Sequence, residues 1–251
     1  MSDAELDKYR APALDKGLDI LELLAGTAEG LSQAEIAKAL NRTPNEIYRM
    51  LDRLVRRAYV RRSSVDRYEL TLKLFELAHA SPPIRRLVRQ ADPVLHRFAH
   101  DAEQAVHLVI CDRNVLVVVA QVDSPGYWNV AVRVGSRIGF NTGSGRVFLA
   151  FATDEECALM LEDEPELVPA DLGATLKRIR RQQFETMNSL QVSNVTNLSI
   201  PIFGPLGSVV AVLTSPYVRR LDKAEAPGQT AALKLLIEAG QKISARSVVG
   251  D

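Results

Sequence analysis

Four histidines, two cysteines and one short glycine run are the residues of this chain whose types and spacing could do metal or covalent chemistry. His96 and His100 stand four apart, which puts two imidazoles on one face of a helix, but no glutamate motif lies between them and no cysteine pair is near. His107 and Cys111 are one pair short of any zinc pattern. Gly143-Ser144-Gly145 contains a fragment of a dinucleotide or nucleophile loop. No third glycine follows at the required place, and no Ser-His-Asp set can be assembled. The sequence therefore predicts no catalytic residue, no metal and no cofactor. These glycines permit a tight turn instead, and a turn beside a helix N-terminus can present amides to a ligand carboxylate.

A stronger signal is electrostatic. Between Arg42 and Arg67 there are eight arginines (42, 49, 53, 56, 57, 61, 62 and 67) against three acids, Glu46, Asp52 and Asp66. The same window encodes a definite local structure. Ser32-Gln33-Ala34-Glu35 is a capping box that starts a helix burying Ile36, Ala37 and Leu40. Asn41 tolerates the left-handed conformation that a helix stop requires. Thr43-Pro44-Asn45-Glu46 is a second capping box, with proline at the first helical position, where its missing N–H costs nothing. Two helices with such a stop and restart meet steeply, as in a helix-turn-helix.

The restarted helix, Pro44 to Arg57, has Ile47, Leu51, Leu54 and Val55 on one face and Asn45, Tyr48, Arg49, Asp52 and Arg56 on the other. The second face is free to enter a major groove. Tyr59–Arg62 and Arg67–Thr71 read as strands around the turn Ser63–Asp66, which makes a wing whose Arg61, Arg62 and Arg67 carry charge to a DNA backbone or minor groove.

Upstream, Leu14, Leu18, Leu21 and Ile20, Leu23, Leu24 follow helical spacing over Asp15–Leu24, and Gly26 ends the run. Downstream, a short helix over Leu72–Ala80 precedes the break Ser81-Pro82-Pro83. Ile84–Gln90 and Asp92–His100 read as two helical pieces, with Asp92 capping and Pro93 opening the second. Beyond them the period changes. Strands are predicted at Ala105–Cys111 and Val115–Gln121 around Asp112-Arg113-Asn114, then at Ala131–Val134, Leu198–Phe203 and Ser208–Leu213. Helices are predicted at Gly145–Ala152, Asp154–Glu162, Asp171–Gln183 and Gln229–Arg246. Helices around a largely antiparallel sheet make an α+β domain.

Composition agrees with this layout. At 251 residues and 47% apolar content, the chain can bury a core in one large or two ordinary domains. Met1–Arg10 lacks the apolar run of a secretory signal, and no stretch is apolar enough to span a membrane. Cys111 and Cys157 read as small buried hydrophobes, so a reducing cytoplasm is expected. A net charge of zero argues against nucleic acid only as an average. Up to Ala80 there are 13 acidic and 13 basic residues, but the acids fall mostly before Asn41 and the arginines are held for the later helix and wing.

Taken in order, these residues resemble the IclR family of bacterial transcription regulators. Ala13-Leu14-Asp15-Lys16-Gly17-Leu18-Asp19-Ile20-Leu21 resembles its first helix. Glu35-Ile36-Ala37 and Tyr48-Arg49-Met50-Leu51 fall where the family has its second and recognition helices. Arg67-Tyr68-Glu69-Leu70 resembles its wing exit and Ala91-Asp92-Pro93-Val94-Leu95 its linker. Val132-Arg133-Val134-Gly135-Ser136-Arg137, Gly145-Arg146-Val147-Phe148-Leu149-Ala150 and Ile200-Pro201-Ile202-Phe203 look like its effector-binding domain. Gly143-Ser144-Gly145-Arg146 departs from the family's usual Ala-Ala-Gly-Lys, and Ser189–Asn194 lacks its glycine-rich acidic stretch.

The resemblance implies a winged helix-turn-helix domain over 1–82, a dimerising linker helix over 83–101, and a GAF-like α+β effector-binding and oligomerisation domain over 102–251. It also implies a homodimer or homotetramer on a double-stranded DNA operator, a small organic or aromatic acid as effector, and no membrane partner. The residues expected at DNA are Ser32, Arg42, Thr43, Pro44, Asn45, Glu46, Tyr48, Arg49, Arg53, Arg61, Arg62 and Arg67. Gly143, Ser144, Asn197 and Ser215 are expected at the effector. Two other readings stay open: a regulator whose pocket is filled by its own side chains, and a small-molecule enzyme domain tethered to DNA.

Overall fold

The computed structural model describes residues 11–80, 82–162, 171–223 and 225–249, and the chain divides into two compact units, 1–82 and 83–251. Met1–Arg10, read above for a missing signal, and Ser81 lie outside the described residues.

Unit 1 is a winged helix. Helices α1 (Pro12–Ala25), α2 (Gln33–Ala39) and α3 (Pro44–Arg56) precede the two-stranded antiparallel wing β1 (Val60–Arg62) and β2 (Tyr68–Leu70), and α4 (Lys73–Ala80) follows. Ser32 and Glu35 form the capping box at the start of α2, the serine amide donating to the glutamate at 2.7 Å and the glutamate amide to the serine hydroxyl at 3.3 Å. Asn41 takes the left-handed conformation at φ 51°, which turns the chain sharply enough for α3 to restart three residues later. Ile20, Leu24, Ile36, Ala37, Ile47, Leu51, Val60 and Tyr68 form the core, so each helix contributes the stripe that its spacing marks out.

Unit 2 opens with α5 (Pro82–Ala102), a single 21-residue helix with Pro93 inside it, where two pieces were expected. A proline in a helix interior forfeits one backbone bond and costs about 3 kcal/mol. Here the ring faces solvent, while Ala91, Val94, Leu95, Phe98, Ala99 and Ala102 bury one continuous stripe across it, and that burial outweighs the local break.

The sheet has the order β5-β4-β3-β8-β7-β6, antiparallel throughout. Its strands are β3 (Val106–Asp112), β4 (Val115–Val122), β5 (Arg137–Ile138), β6 (Glu185–Asn188), β7 (Thr196–Phe203) and β8 (Val209–Tyr217). Helix α6 (Gly143–Phe151), α7 (Asp154–Leu161) and α8 (Leu172–Gln182) lie between β5 and β6 in sequence, and α9 (Gln229–Val249) closes the unit. Arg113 and Asn114, both with positive φ (46° and 61°), make the two-residue turn that pairs Asp112 with Val115.

Side chains alternate between two cores. Val106, Leu108, Leu198, Ile200, Ile202, Ala211 and Leu213 pack with α5 and α9. Val109, Leu116, Val118 and Val212 pack with α6 and α8.

The structure corrects one strand assignment and adds a strand that the sequence does not announce. Ala131–Val134 has no regular structure. The chain instead returns to β4 through the bonds between Val118 and Gly135 and Ser136, then pairs at Arg137–Ile138. Strand β6, Glu-Thr-Met-Asn, has no apolar alternation to announce it. It is held by pairing with β7 and by Arg178, whose guanidinium donates to both oxygens of the buried Glu185 at 2.9 and 2.8 Å.

Candidate functional site

Unit 1 presents α3. Burial of Ile47 and Leu51 turns Asn45, Tyr48, Arg49, Arg53 and Arg56 outward, and Tyr48 is 57% exposed. Among the described residues Arg42, Arg49 and Arg53 make no ion pair, so their guanidiniums are uncommitted. Arg56 is paired to Asp52 one turn earlier at 2.9 Å. On the wing, Arg61 pairs with Glu69 at 2.6 Å, and Arg62 pairs with Asp66 and lies over the Tyr68 ring, 5.8 Å from its centroid. These are exposed pairs worth little in isolation, readily exchanged for phosphate partners.

Four of the expected DNA residues have structural tasks. Ser32 and Thr43 cap α2 and α3. Glu46 accepts hydrogen bonds from both the amide and the hydroxyl of Thr43 at 2.9 Å and sits 3.3 Å from the Lys16 ammonium. Those bonds, the Thr43 amide first, hold its carboxyl at a pKa of about 2. Arg67 corrects the expectation of a free wing cation. Its guanidinium donates to the carbonyls of Glu29 and Gly30 and meets Glu35 at 3.2 Å, fastening the root of the wing to the segment before α2.

Unit 2 contains a cavity of about 300 Å³, at the small end for metabolite sites. Gly143 and Ser144 line it from the first turn of α6. Thr142 caps that helix, its hydroxyl accepting from the Gly145 amide at 3.2 Å and donating to the Gly139 carbonyl at 2.8 Å. The amides of Gly143 and Ser144 have no intrahelical acceptor, as at any helix start, and none elsewhere among the described residues. Ser144 and Thr214 share a hydroxyl–hydroxyl bond of 2.7 Å, and Thr214 donates to Ser199 at 2.8 Å, so the helix start is tied to β8 and β7. Asn197 reaches the cavity from β7 and Arg137 from β5. Val130, Ala131 and Val132 wall it, which explains a β-branched run that forms no strand. No aspartate or glutamate is among the residues lining it.

Ser215 is a correction. It is fully buried, donates to the Ala105 carbonyl at 2.8 Å and does not line the cavity. Its neighbours Thr214 and Pro216 do, because successive strand residues face opposite ways. His107, passed over above as a fragment of a metal site, lines the cavity from β3. It is buried, and burial alone pushes its pKa down to about 4, so the ring is neutral near pH 7. The signal in the sequence is a lone polar residue inside the apolar run Val106–Cys111. Among the described residues no group of three or more His, Cys, Asp or Glu is placed to hold a metal ion, and no helix is long and apolar enough to cross a membrane.

A winged helix with uncommitted guanidiniums on its exposed helix, continued in the same chain by an α+β unit with a small polar cavity, defines a ligand-responsive DNA-binding regulator. Comparison with known proteins supplies the family. The bacterial transcriptional regulator IclR C-terminal family matches residues 84–245, and the IclR helix-turn-helix domain matches residues 13–64. The chain belongs to the IclR family of bacterial transcriptional regulators, with an N-terminal DNA-binding domain and a C-terminal effector-binding domain.

The HTH-type transcriptional regulator KdgR of Escherichia coli is 27% identical over 96% of this chain and 98% of its own length. BhcR of Paracoccus denitrificans is 26% identical over 92% of this chain and 86% of its own. Among solved structures, an IclR homologue from Microbacterium hydrocarbonoxydans, complexed with 4-hydroxybenzoate, shares the fold at a TM-score of 0.78. It is 20% identical and covers 94% of this chain and 98% of that one.

Proposed function

We propose that this regulator binds a small monocarboxylate in the cavity of unit 2 and thereby controls its hold on a palindromic operator. In this reading it is a cytoplasmic homodimer or homotetramer that represses a catabolic operon. The observation that carries the effector assignment is the pair of unsatisfied amides of Gly143 and Ser144 at a cavity lined by no acidic side chain. A helix start favours an anion, and the missing carboxylates remove the repulsion that would oppose one. The bound 4-hydroxybenzoate of the structural relative fits the same class of ligand. A cavity of about 300 Å³ speaks against a pocket filled by its own side chains. Sensing without turnover accords with relatives named as transcriptional regulators.

At DNA, Arg49 and Asn45 are assigned to base edges, where arginine pairs with guanine and asparagine with adenine. Arg42, Arg53, Arg61 and Arg62 are assigned to phosphates, with Pro44 and Tyr48 at the groove contact. Ser32, Thr43 and Glu46 shape the helix starts that carry these groups.

The test of the effector reading is a thermal and chemical denaturation screen with small carboxylic acids, each beside its uncharged primary amide. A true effector at a hundred times its dissociation constant adds about 2.7 kcal/mol of stability. The acids should stabilise and the amides should not. Equal stabilisation by both, or by neither, would overturn the anion assignment.

A further inference from the structure

Resting on the effector reading above, we infer that His107 is the specificity-determining residue of the cavity. It hydrogen-bonds an oxygen carried by the effector on a carbon next to, or one beyond, the carboxylate. The inference rests on position and on an unpaired atom. His107 stands directly opposite Thr214 in the β3–β8 register, and Thr214 bonds Ser144 in the first turn of α6. Opposed residues on neighbouring strands keep their Cβ atoms about 4.5–5.5 Å apart on one face. The imidazole therefore lies across one strand from the threonine that is bonded to the start of α6, so a short ligand whose carboxylate meets the α6 amides can present an oxygen near its carboxylate end to the ring.

The hydroxyls around this point are already engaged, which leaves Asn197 on β7 and His107 as the polar side chains there open to a ligand. Ser144, Thr214 and Ser199 bond one another, and Thr142 is committed to its cap. The buried Nδ1 of His107 has no hydrogen-bond partner among the described residues, and of the buried side-chain atoms in that condition it is the one whose residue lines this cavity. A buried polar atom without a partner is costly unless a ligand completes it. The residues opposed to His107 are Gln121 across β4 and Thr214 across β8, with the start of α6 bonded to Thr214. None of these, and no residue lining the cavity, is acidic, so no carboxylate is there to hold the ring protonated. A neutral imidazole offers one donor and one acceptor, and a change of tautomer suits it to either a keto or a hydroxyl oxygen.

The test uses the full-length protein and isothermal titration with lactate, pyruvate and 3-hydroxybutyrate against propionate and butyrate. The wild type should bind the oxygen-bearing acids about tenfold more tightly than the plain ones, the value of one good hydrogen bond in a buried site. His107→Leu should abolish that preference while leaving propionate affinity within about twofold, and His107→Gln should restore part of it. If His107→Leu does not fold, the ¹⁵N shifts of the wild-type His107 ring decide: they should move on lactate binding and stay still on propionate binding. Acids that bind without preference, a preference that survives in His107→Leu, or ring shifts indifferent to lactate would overturn the role of His107 alone. No binding of any of these acids, with DNA binding intact, would overturn the carboxylate site and the inference with it.

Discussion

Ser144 and Thr214, seventy residues apart in sequence, hold their hydroxyls 2.7 Å from each other and so pin the first turn of α6 to strand β8. Thr214 then donates to Ser199 on β7, so a chain of three buried hydroxyls fixes the helix start over the sheet. Thr214→Val keeps the shape and deletes the middle member, leaving two buried hydroxyls without it. It should destabilise unit 2 by about 1–3 kcal/mol in urea unfolding and weaken carboxylate binding. An unchanged midpoint with unchanged affinity would show that the chain does not position α6.

The glycines of the same turn should differ in a definite order. A Cβ on Gly145 would lie 2.3 Å from Cα of Phe140 and 2.5 Å from its carbonyl oxygen, and backbone cannot swing aside. A Cβ on Gly143 would meet the Ser199 Oγ at 2.6 Å, an atom that a χ1 rotation can move at the cost of its bond from Thr214. Gly145→Ala should therefore cost about 3 kcal/mol or more and Gly143→Ala about 1 kcal/mol, read from melting temperature or urea midpoint. The reverse order would contradict the packing described.

Among the arginines, stability and DNA binding should separate. Arg49→Ala should leave stability within about 0.5 kcal/mol but cost about 1–3 kcal/mol of discrimination between operator and random DNA. Arg62→Ala should weaken all sequences alike and reduce the salt slope by about one. Arg67→Ala should instead lower the stability of unit 1 by about 1–2 kcal/mol, because its donors hold Glu29, Gly30 and Glu35. Fluorescence anisotropy across salt, beside urea unfolding, distinguishes the three. Equal loss on operator and random DNA for Arg49→Ala would remove that residue from base reading.

Stability should fall between about pH 6.5 and pH 4 on account of His107. The folded protein keeps the ring neutral down to about pH 4, whereas the unfolded chain protonates it near 6.5. In that window the unfolded state binds more protons, so stability declines as pH falls and levels off for this residue once both states are charged. The full loss is about 3 kcal/mol. His107→Gln should remove this component, so the difference between the two pH profiles should grow from pH 7 to pH 4.5. Superimposable profiles would mean that the ring is not buried in the folded state.

Glu46 acts in a lower range. The Thr43 amide and hydroxyl hold its pKa at about 2, below its ordinary 4.5, so its contribution to the start of α3 is complete above 4.5 and is lost as pH falls toward 2. Glu46→Gln, which keeps an acceptor but no charge, should flatten the acid limb of unfolding there. No change in that limb would show that the charge of Glu46 does not matter to the cap.

The sequence by itself determined the elements whose signals are local. Capping boxes at Ser32 and Thr43, a left-handed stop at Asn41 and the stripe Ile47–Leu51 define a helix-turn-helix, because caps, turns and helical faces depend on residues within four positions of one another. The Arg113-Asn114 turn and its two strands were legible for the same reason. Tertiary structure decided what depends on distant partners. Burial of Ala91, Leu95 and Phe98 carries α5 through Pro93, and pairing with β7 together with Arg178 makes a strand of four polar-leaning residues at Glu185–Asn188. Strand alternation places Thr214 rather than Ser215 at the cavity, because one residue of register reverses which side chain faces inward. Three-dimensional contact also set Arg67 to holding the wing, and it turned His107 from a histidine without metal partners into the unpaired ring beside a helix start. Such assignments rest on which groups meet across tens of residues, a geometry that residue types and spacing alone do not contain.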